Sequence, residues 1–281
     1  MNKSTWPAPA KLNLFLHITG RRANGYHLLQ TLFQLLDWGD ELTIEATHDG
    51  TITRAQAVAG VAEREDLTMR AARLLQRECG CRQGAMINLN KQIPLGAGLG
   101  GGSSDAATTL HALNHTWGCG LSVPDLVELG ARLGADVPVF VFGQSAWAEG
   151  IGDQLQAFST GEPWYVLVFP DIAVSTAKVF ADPALKRDTA PMLSSDFDQA
   201  STGNDCTEVV LGLFPALRKI MRDLSQWGSP RLTGTGSCIF LPVDGKNQAD
   251  RITKALKSRY NVRAVRGVDH SPLLAKRPDR S

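Results

Sequence analysis

Pro94-Leu95-Gly96-Ala97-Gly98-Leu99-Gly100-Gly101-Gly102-Ser103-Ser104-Asp105 is the stretch from which the rest of the chain is read. Five of the seven residues from Gly96 to Gly102 are glycine, and two serines follow. Without a Cβ, glycine permits backbone angles and close approaches that other residues forbid. A helical pattern starts directly afterwards: Ala106, Ala107, Leu110, Leu113 and Trp117 share one face, and Gly118 closes it. The first amides of a helix have no internal partners and its dipole is positive there, so the stretch reads as a phosphate cradle. It is not a P-loop, because no lysine follows the glycines. Gly96-Ala-Gly-Leu-Gly-Gly101 does fit G-x-G-x-x-G. The acid which a dinucleotide site needs about 20 residues on, at the end of a strand, is missing, since Asp125 and Glu128 lie in a helical segment. The partner motifs of protein kinases are also absent.

Upstream, Leu12, Leu14, Leu16 and Ile18 alternate with Lys11, Asn13, Phe15 and His17. This period of two predicts a half-buried strand with Lys11 and Asn13 together on the face opposite the leucines. Separate strands are expected over 31–36 and 41–46, a helix over 66–78 capped by Asp66 and stopped by Gly80, and a strand over 85–93. Downstream, Ser122-Val-Pro-Asp125 opens a helix that ends at Gly134, and Asp136 is a helix-end carboxylate beside an apolar run. Further strands are expected over 166–169, 238–243 and 262–267, with a helix over 248–258. Residues 175–201 read as an irregular connection, and one long helix over 205–227 is kinked or broken at Gly212 and Pro215. Thr233-Gly-Thr-Gly-Ser237 is a second small-residue loop, and the tail after Pro272 is expected to be charged and mobile. The element order argues for an α+β fold with mixed sheets.

A length of 281 residues predicts roughly two domains, here residues 1–155 and 156–281. With 29 Lys+Arg against 28 Asp+Glu, no nucleic-acid footprint is expected. The five cysteines are scattered without C-x-x-C or zinc spacing, as expected of thiols in a reducing cytosol. His111 and His115 lack the glutamate and third ligand of a zinc motif, so no metal site is expected. No apolar run approaches the ~18 residues of a membrane span, and the N-terminus shows no signal-peptide pattern. A cytoplasmic protein without membrane or nucleic-acid partners is the expectation, as a monomer or homodimer.

The glycine loop resembles the central motif of the galactokinase–homoserine kinase–mevalonate kinase–phosphomevalonate kinase superfamily. Pro9-Ala-Lys-Leu-Asn13, Gly25-Tyr-His27, Gly134-Ala-Asp-Val-Pro138, Leu232-Thr-Gly-Thr-Gly-Ser237 and Ser271-Pro-Leu273 are similar to the 4-diphosphocytidyl-2-C-methyl-D-erythritol kinase family within it. The glycine loop identifies only the superfamily; Ala-Lys-Leu-Asn with Gly-Tyr-His narrows it. The resemblance implies an N-terminal domain like domain 2 of ribosomal protein S5, which binds ATP. A ferredoxin-like C-terminal domain would bind substrate, with the active site in the cleft between them. It also implies an ATP- and Mg2+-dependent kinase of non-mevalonate isoprenoid biosynthesis, acting on the C2 hydroxyl of 4-diphosphocytidyl-2-C-methyl-D-erythritol. Asp136 would then be the base and Lys11 its electrostatic partner, with residues 94–104 on the ATP phosphates. Tyr26, His27 and Phe180 would meet the cytosine, and Asn13, Asn204 and Thr233 would belong to the acceptor site. Asp105 is open between a magnesium ligand and an early-turn helix charge. The alternatives are a homoserine- or mevalonate-type kinase and, further off, a nicotinamide-binding oxidoreductase.

Overall fold

The computed structural model describes residues 3–23 and 25–276. It opens on a long antiparallel ribbon of β1 (Lys3–Arg21) and β2 (His27–Thr47), paired from Lys3↔Glu45 to Arg21↔His27 with register shifts between Pro9 and Lys11, Asn13 and Leu16, and Ile18 and Gly20. The two expected strands over 31–36 and 41–46 are therefore one. Gly39 lets the ribbon continue between them, because a Cβ there would sit 2.0 Å from the Ala8 carbonyl oxygen.

The half-buried expectation for β1 does not hold. Every residue from Ala8 to Leu16 is buried, Lys11 and Asn13 included. The physical reason is that the strand has a core on each side. Ala8 packs in a cluster with Leu35, Leu110 and Phe140. Leu12 and Leu14 pack with Tyr165, Leu167 and Phe240, whereas Leu16 and Ile18 join Val166, Val168 and Leu241. Alternation reports which residues share a face, but not whether a second layer covers that face.

The remaining elements are β3 (Ile52–Arg54), α1 (Leu67–Glu78), β4 (Gly84–Asn90), α2 (Gly101–Thr116), α3 (Val123–Ala131), α4 (Val137–Phe142), β5 (Ala146–Glu149), β6 (Gln154–Ala157), β7 (Trp164–Phe169), α5 (Thr176–Ala181), α6 (Thr207–Leu213), α7 (Pro215–Leu224), β8 (Arg231–Leu232), β9 (Ile239–Val243), α8 (Lys246–Leu256) and β10 (Asn261–Val268). One sheet runs β3-β4-β2-β10-β7-β9-β8, with β1 and β5 also on β2 and β6 on β5. Its two halves meet at β10, which pairs with β7 from Asn261 to Arg266 and then with β2 at Gly267 and Val268. The α+β class and the two-part organisation are as expected.

Local signals act as read at several ends. The Asp66 carboxylate accepts from Thr68 N at 2.9 Å at the start of α1, and Ser122 with Asp125 forms a reciprocal capping box on α3. The expected helix over 205–227 is two helices. Pro215 forces the preceding residue away from helical angles, and Phe214 sits at φ −130°, ψ 75°. Residues 175–201 contain α5 and a 3-10 turn at Ser194–Asp196. The tail is not loose where it is described: Leu273 is fully buried and Leu274 lies against Gly143, while 277–281 fall outside the described residues. Asp136 ends no helix; it immediately precedes α4. All five cysteines are free thiols, and no described helix is long and apolar enough to cross a membrane.

Because Gly39 has backbone rather than flexible side chain above it, Gly39→Ala must push β1 and β2 apart. Urea denaturation should show a loss of about 1–3 kcal/mol. An unchanged midpoint would mean that the ribbon opens freely at this point.

Candidate active site

Lys11 is the centre of the site. Its backbone N–H donates to the Leu99 carbonyl at 3.1 Å, which ties β1 to the glycine loop. Its ammonium donates to Asn13 Oδ1 at 2.7 Å, lies 3.2 Å from Asp136 Oδ2 and sits 5.2 Å from the centre of the Phe33 ring. Only 3% of the Lys11 side chain is exposed, against 37% for Asp136. The Asp136 carboxylate caps no amide of α4, so it stays available to the cavity in front of it.

Asn13 holds the lysine in turn. Its backbone N–H donates to Thr233 Oγ1 at 2.9 Å and its side-chain amide to Thr31 Oγ1 at 3.0 Å. The second glycine loop rests on the first. Thr233 Oγ1 faces the Gly98 carbonyl at 3.4 Å, and a Cβ on Gly98, whose φ is +75°, would meet Thr233 O at 2.4 Å. Two neighbouring glycines of the first loop give way to two lysines. A Cβ on Gly100 would come within 3.2 Å of Lys11 Cε, and one on Gly101 within 2.8 Å of Lys91 Nζ. The loop is glycine-rich here because side chains press against its backbone, the Phe140 ring closest at Gly100, 2.7 Å from a Cβ, and Lys91 at Gly101.

The site forms a continuous series of cavities. The central one, about 290 Å³, is lined by Lys11, Asn13, Thr31, Asp136, Ser103 and Thr235 among others. Gly98 and Ser103 also line a cavity of about 260 Å³ bounded by residues 94–103, Leu67 and Lys91. On the other side, Leu29, Ala135, Ile151 and Phe180 are shared with a cavity of about 390 Å³ that adds Tyr26 and His27. A further cavity of about 430 Å³, beside Trp147 and Met192, shares no lining residue with these.

In the aromatic cavity, Tyr26 is 61% exposed. The His27 and Phe180 rings lie 5.0 Å apart at 36°. Arg187 braces both. Its Nε donates to His27 Nε2 at 3.2 Å and its Nη2 to the Phe180 carbonyl at 3.0 Å. Arginine has no acceptor, so His27 Nε2 must accept, and the neutral ring carries its proton on Nδ1. Burial, then Arg187 and Arg21, hold the His27 pKa below the ordinary imidazole value.

The predicted residues do not all reach the cavities. Asn204 donates its amide to the Leu232 and Gly234 carbonyls at 3.0 and 2.8 Å, and accepts from Cys206 N. It therefore braces the second loop, as does the fully buried Thr233, and neither lines the central cavity. Thr235 and Thr176 do, with their hydroxyls 2.9 Å apart. Of the two serines, Ser103 faces the cavities, while Ser104 Oγ is buried without a hydrogen-bond partner among the described residues. Asp105 is off the cavity wall as well, paired with Lys91 at 2.8 Å. Sequence reasoning passed over Thr176, Thr235, Lys91 and Arg187. Thr235 could have been found as the second threonine of its loop, but no local pattern marks Arg187.

Among the described residues, no group of three or more His, Cys, Asp and Glu is placed to hold a metal ion. His111 Nε2 lies 2.9 Å from the Val141 carbonyl, and His115 packs edge-on to Trp6.

Residues 66–144 match the N-terminal domain of the GHMP kinases and residues 184–262 their C-terminal domain. A 4-diphosphocytidyl-2-C-methyl-D-erythritol kinase of Nitrosococcus oceani is 50% identical over 96% of both chains. One of Aromatoleum aromaticum is 49% identical over 95% of this chain and 94% of its own. The crystal structure of a 4-(cytidine 5'-diphospho)-2C-methyl-D-erythritol kinase superposes with a TM-score of 0.83 at 34% identity, covering 94% of this chain and all of that one. With half its residues identical over nearly the whole length, the chain belongs to the 4-diphosphocytidyl-2-C-methyl-D-erythritol kinase family of GHMP kinases.

Proposed function

We propose that the chain transfers the γ-phosphoryl group of ATP to the C2 hydroxyl of 4-diphosphocytidyl-2-C-methyl-D-erythritol, giving the 2-phosphate and ADP. The reaction belongs to non-mevalonate isoprenoid biosynthesis and takes place in the cytoplasm. The observation that carries this reading is the Lys11–Asp136 pair, 3.2 Å apart in a cavity continuous with the glycine loop on one side and the aromatic residues on the other.

Phosphoryl transfer asks a protein mainly for position and charge. ATP enters as its Mg2+ complex, with its phosphates along residues 94–104. The acceptor reaches in from the opposite end, its cytosine between Tyr26 and Phe180 and its polyol towards Asn13. Neutral His27 has Nδ1–H to donate to the base edge. As the acceptor oxygen bonds to phosphorus, its proton becomes acidic and passes to the Asp136 carboxylate. Lys11 balances the negative charge that develops between acceptor and phosphate. The proton ends on Asp136, the phosphoryl group on the acceptor oxygen, and ADP leaves. Asn204 and Thr233 serve this arrangement indirectly, by holding the second loop against the first.

A division near residue 155 suits the nucleotide, whose cavity is lined by residues from 67 to 103. The acceptor cavity takes Tyr26 and His27 from before that point and Phe180 from after it. A homoserine- or mevalonate-type activity has no use for such an aromatic cavity, and a nicotinamide site has no use for the Lys11–Asp136 pair.

With purified protein and Mg2+–ATP, ADP release should follow addition of the cytidyl alcohol and not of homoserine or mevalonate. Turnover with either of those instead would discard the aromatic cavity as an acceptor site. Asp136→Ala should lower kcat by about 10²–10⁴-fold while leaving nucleotide affinity nearly unchanged; near-normal turnover would remove Asp136 as the base. Arg187→Ala unties His27 and Phe180 together. It should raise KM for the acceptor by about tenfold and leave KM for ATP within about twofold. Equal effects on both KM values would show that Arg187 is general scaffold.

A further inference from the structure

Lys91 follows β4 and reaches under the glycine loop, where a Cβ on Gly101 would come within 2.8 Å of its ammonium. Its side chain is 19% exposed and lines the cavity along residues 94–103. Two buried carboxylates hold it: Asp40 Oδ2 from β2 at 2.6 Å, and Asp105 Oδ2 from the first turns of α2 at 2.8 Å. An ammonium has three donors, so one N–H is left for the cavity.

The two acids are not equivalent. Asp40 Oδ1 accepts from the backbone N–H groups of Gln92 and Ile93 at 2.5 and 2.8 Å, so its charge is fully met. Asp105 Oδ1 is buried and has no hydrogen-bond partner among the described residues. An unmet buried carboxylate oxygen is costly when charged and much less so when it carries a proton.

The geometry points to Asp40 and Asp105 as positioning residues for nucleotide binding: they clamp Lys91 from two sides beneath the glycine loop, where its free N–H meets the phosphates of ATP. This rests on reading residues 94–104 as the nucleotide site. The charged groups facing Asp105 are Lys91 and Asp40. Burial first, with Asp40 adding and Lys91 opposing, pushes the Asp105 pKa up to about 8. Below that pH the trio carries one cation, one anion and one neutral acid, with net charge zero; above it the net charge is −1. Anionic phosphates favour the neutral trio and so raise the Asp105 pKa further. Nucleotide binding therefore takes up protons at and above pH 8, and affinity falls as pH rises through that range.

The test is calorimetry of a non-hydrolysable ATP analogue with Mg2+, in buffers of different ionisation enthalpy, between pH 7 and 9.5. Wild type should take up a fraction of a proton, most strongly just above pH 8, and its Kd should rise about tenfold across the range. Adenosine, which has no phosphates, should bind without proton uptake. Asp105→Asn should show neither the proton uptake nor the rise in Kd between pH 7 and 9.5. Binding by wild type without proton uptake, or the same uptake in Asp105→Asn, overturns the clamp. If that variant does not fold, the wild-type profile and its adenosine control decide the matter. No acceptor is present, so failure of the acceptor assignment would leave the result standing. No analogue binding at any pH would overturn the nucleotide site and the clamp with it.

Discussion

A lysine ammonium buried in the middle of a strand is the constraint around which this site is built. Taking a cation out of water costs several kcal/mol unless charge and hydrogen bonds are returned to it. Asn13, Asp136 and the Phe33 ring do so for Lys11, each from a different place in the chain. Asn13 can point its oxygen at the lysine only because its amide is occupied by Thr31. Asp136 can approach only because α4 begins where it does. The lysine thus fixes β1, β2 and the start of α4 relative to one another, and the side chains of the cavity inherit that rigidity.

The same strand explains why the cleft lies between the two halves. β1 contributes to every core cluster, passing from the helical layer at Ala8 to the C-terminal sheet at Leu16. Lys11 and Asn13 fall between those points. The second glycine loop, which comes from the other half, meets the first at Gly98 and Thr233 with no room for a side chain. Small residues in both loops let backbone lie on backbone where the two loops meet.

Much of this was legible in the sequence, for identifiable reasons. The loop–helix junction, the Asp66 and Ser122 caps and the shared face of Lys11 and Asn13 are local, and local patterns report them faithfully. The burial of that face was not legible, since Gly100, Asp136 and Thr233, which close over Lys11 and Asn13, come from distant parts of the chain. Asn204 and Thr233 were read as acceptor contacts because they accompany the motif. Their side chains bond to backbone carbonyls and to Asn13 N, so a residue that belongs to a motif can also brace the loops around a site. Arg187 was invisible for the opposite reason: it sits in an irregular stretch and acts through His27, which is 160 positions distant.

Two lysine–aspartate pairs flank the glycine loop, and burial separates their tasks. At Gly100 the loop meets Lys11, whose aspartate is over a third exposed and faces the cavity. At Gly101 it meets Lys91, whose aspartates are sealed beneath α2 and β2. An exposed carboxylate can exchange a proton with a bound hydroxyl within a turnover, because the group it acts on can reach it. A sealed one cannot reach substrate and can act only through the charge it leaves on its lysine. Under the proposed function, similar side chains on adjacent glycines divide into a group that does chemistry and a group that sets the field in which the phosphates sit. A β-carbon at Gly101 would crowd the Lys91 ammonium, and one at Gly100 would strike the Phe140 ring before it reached Lys11, so each glycine keeps the loop down on its own neighbours.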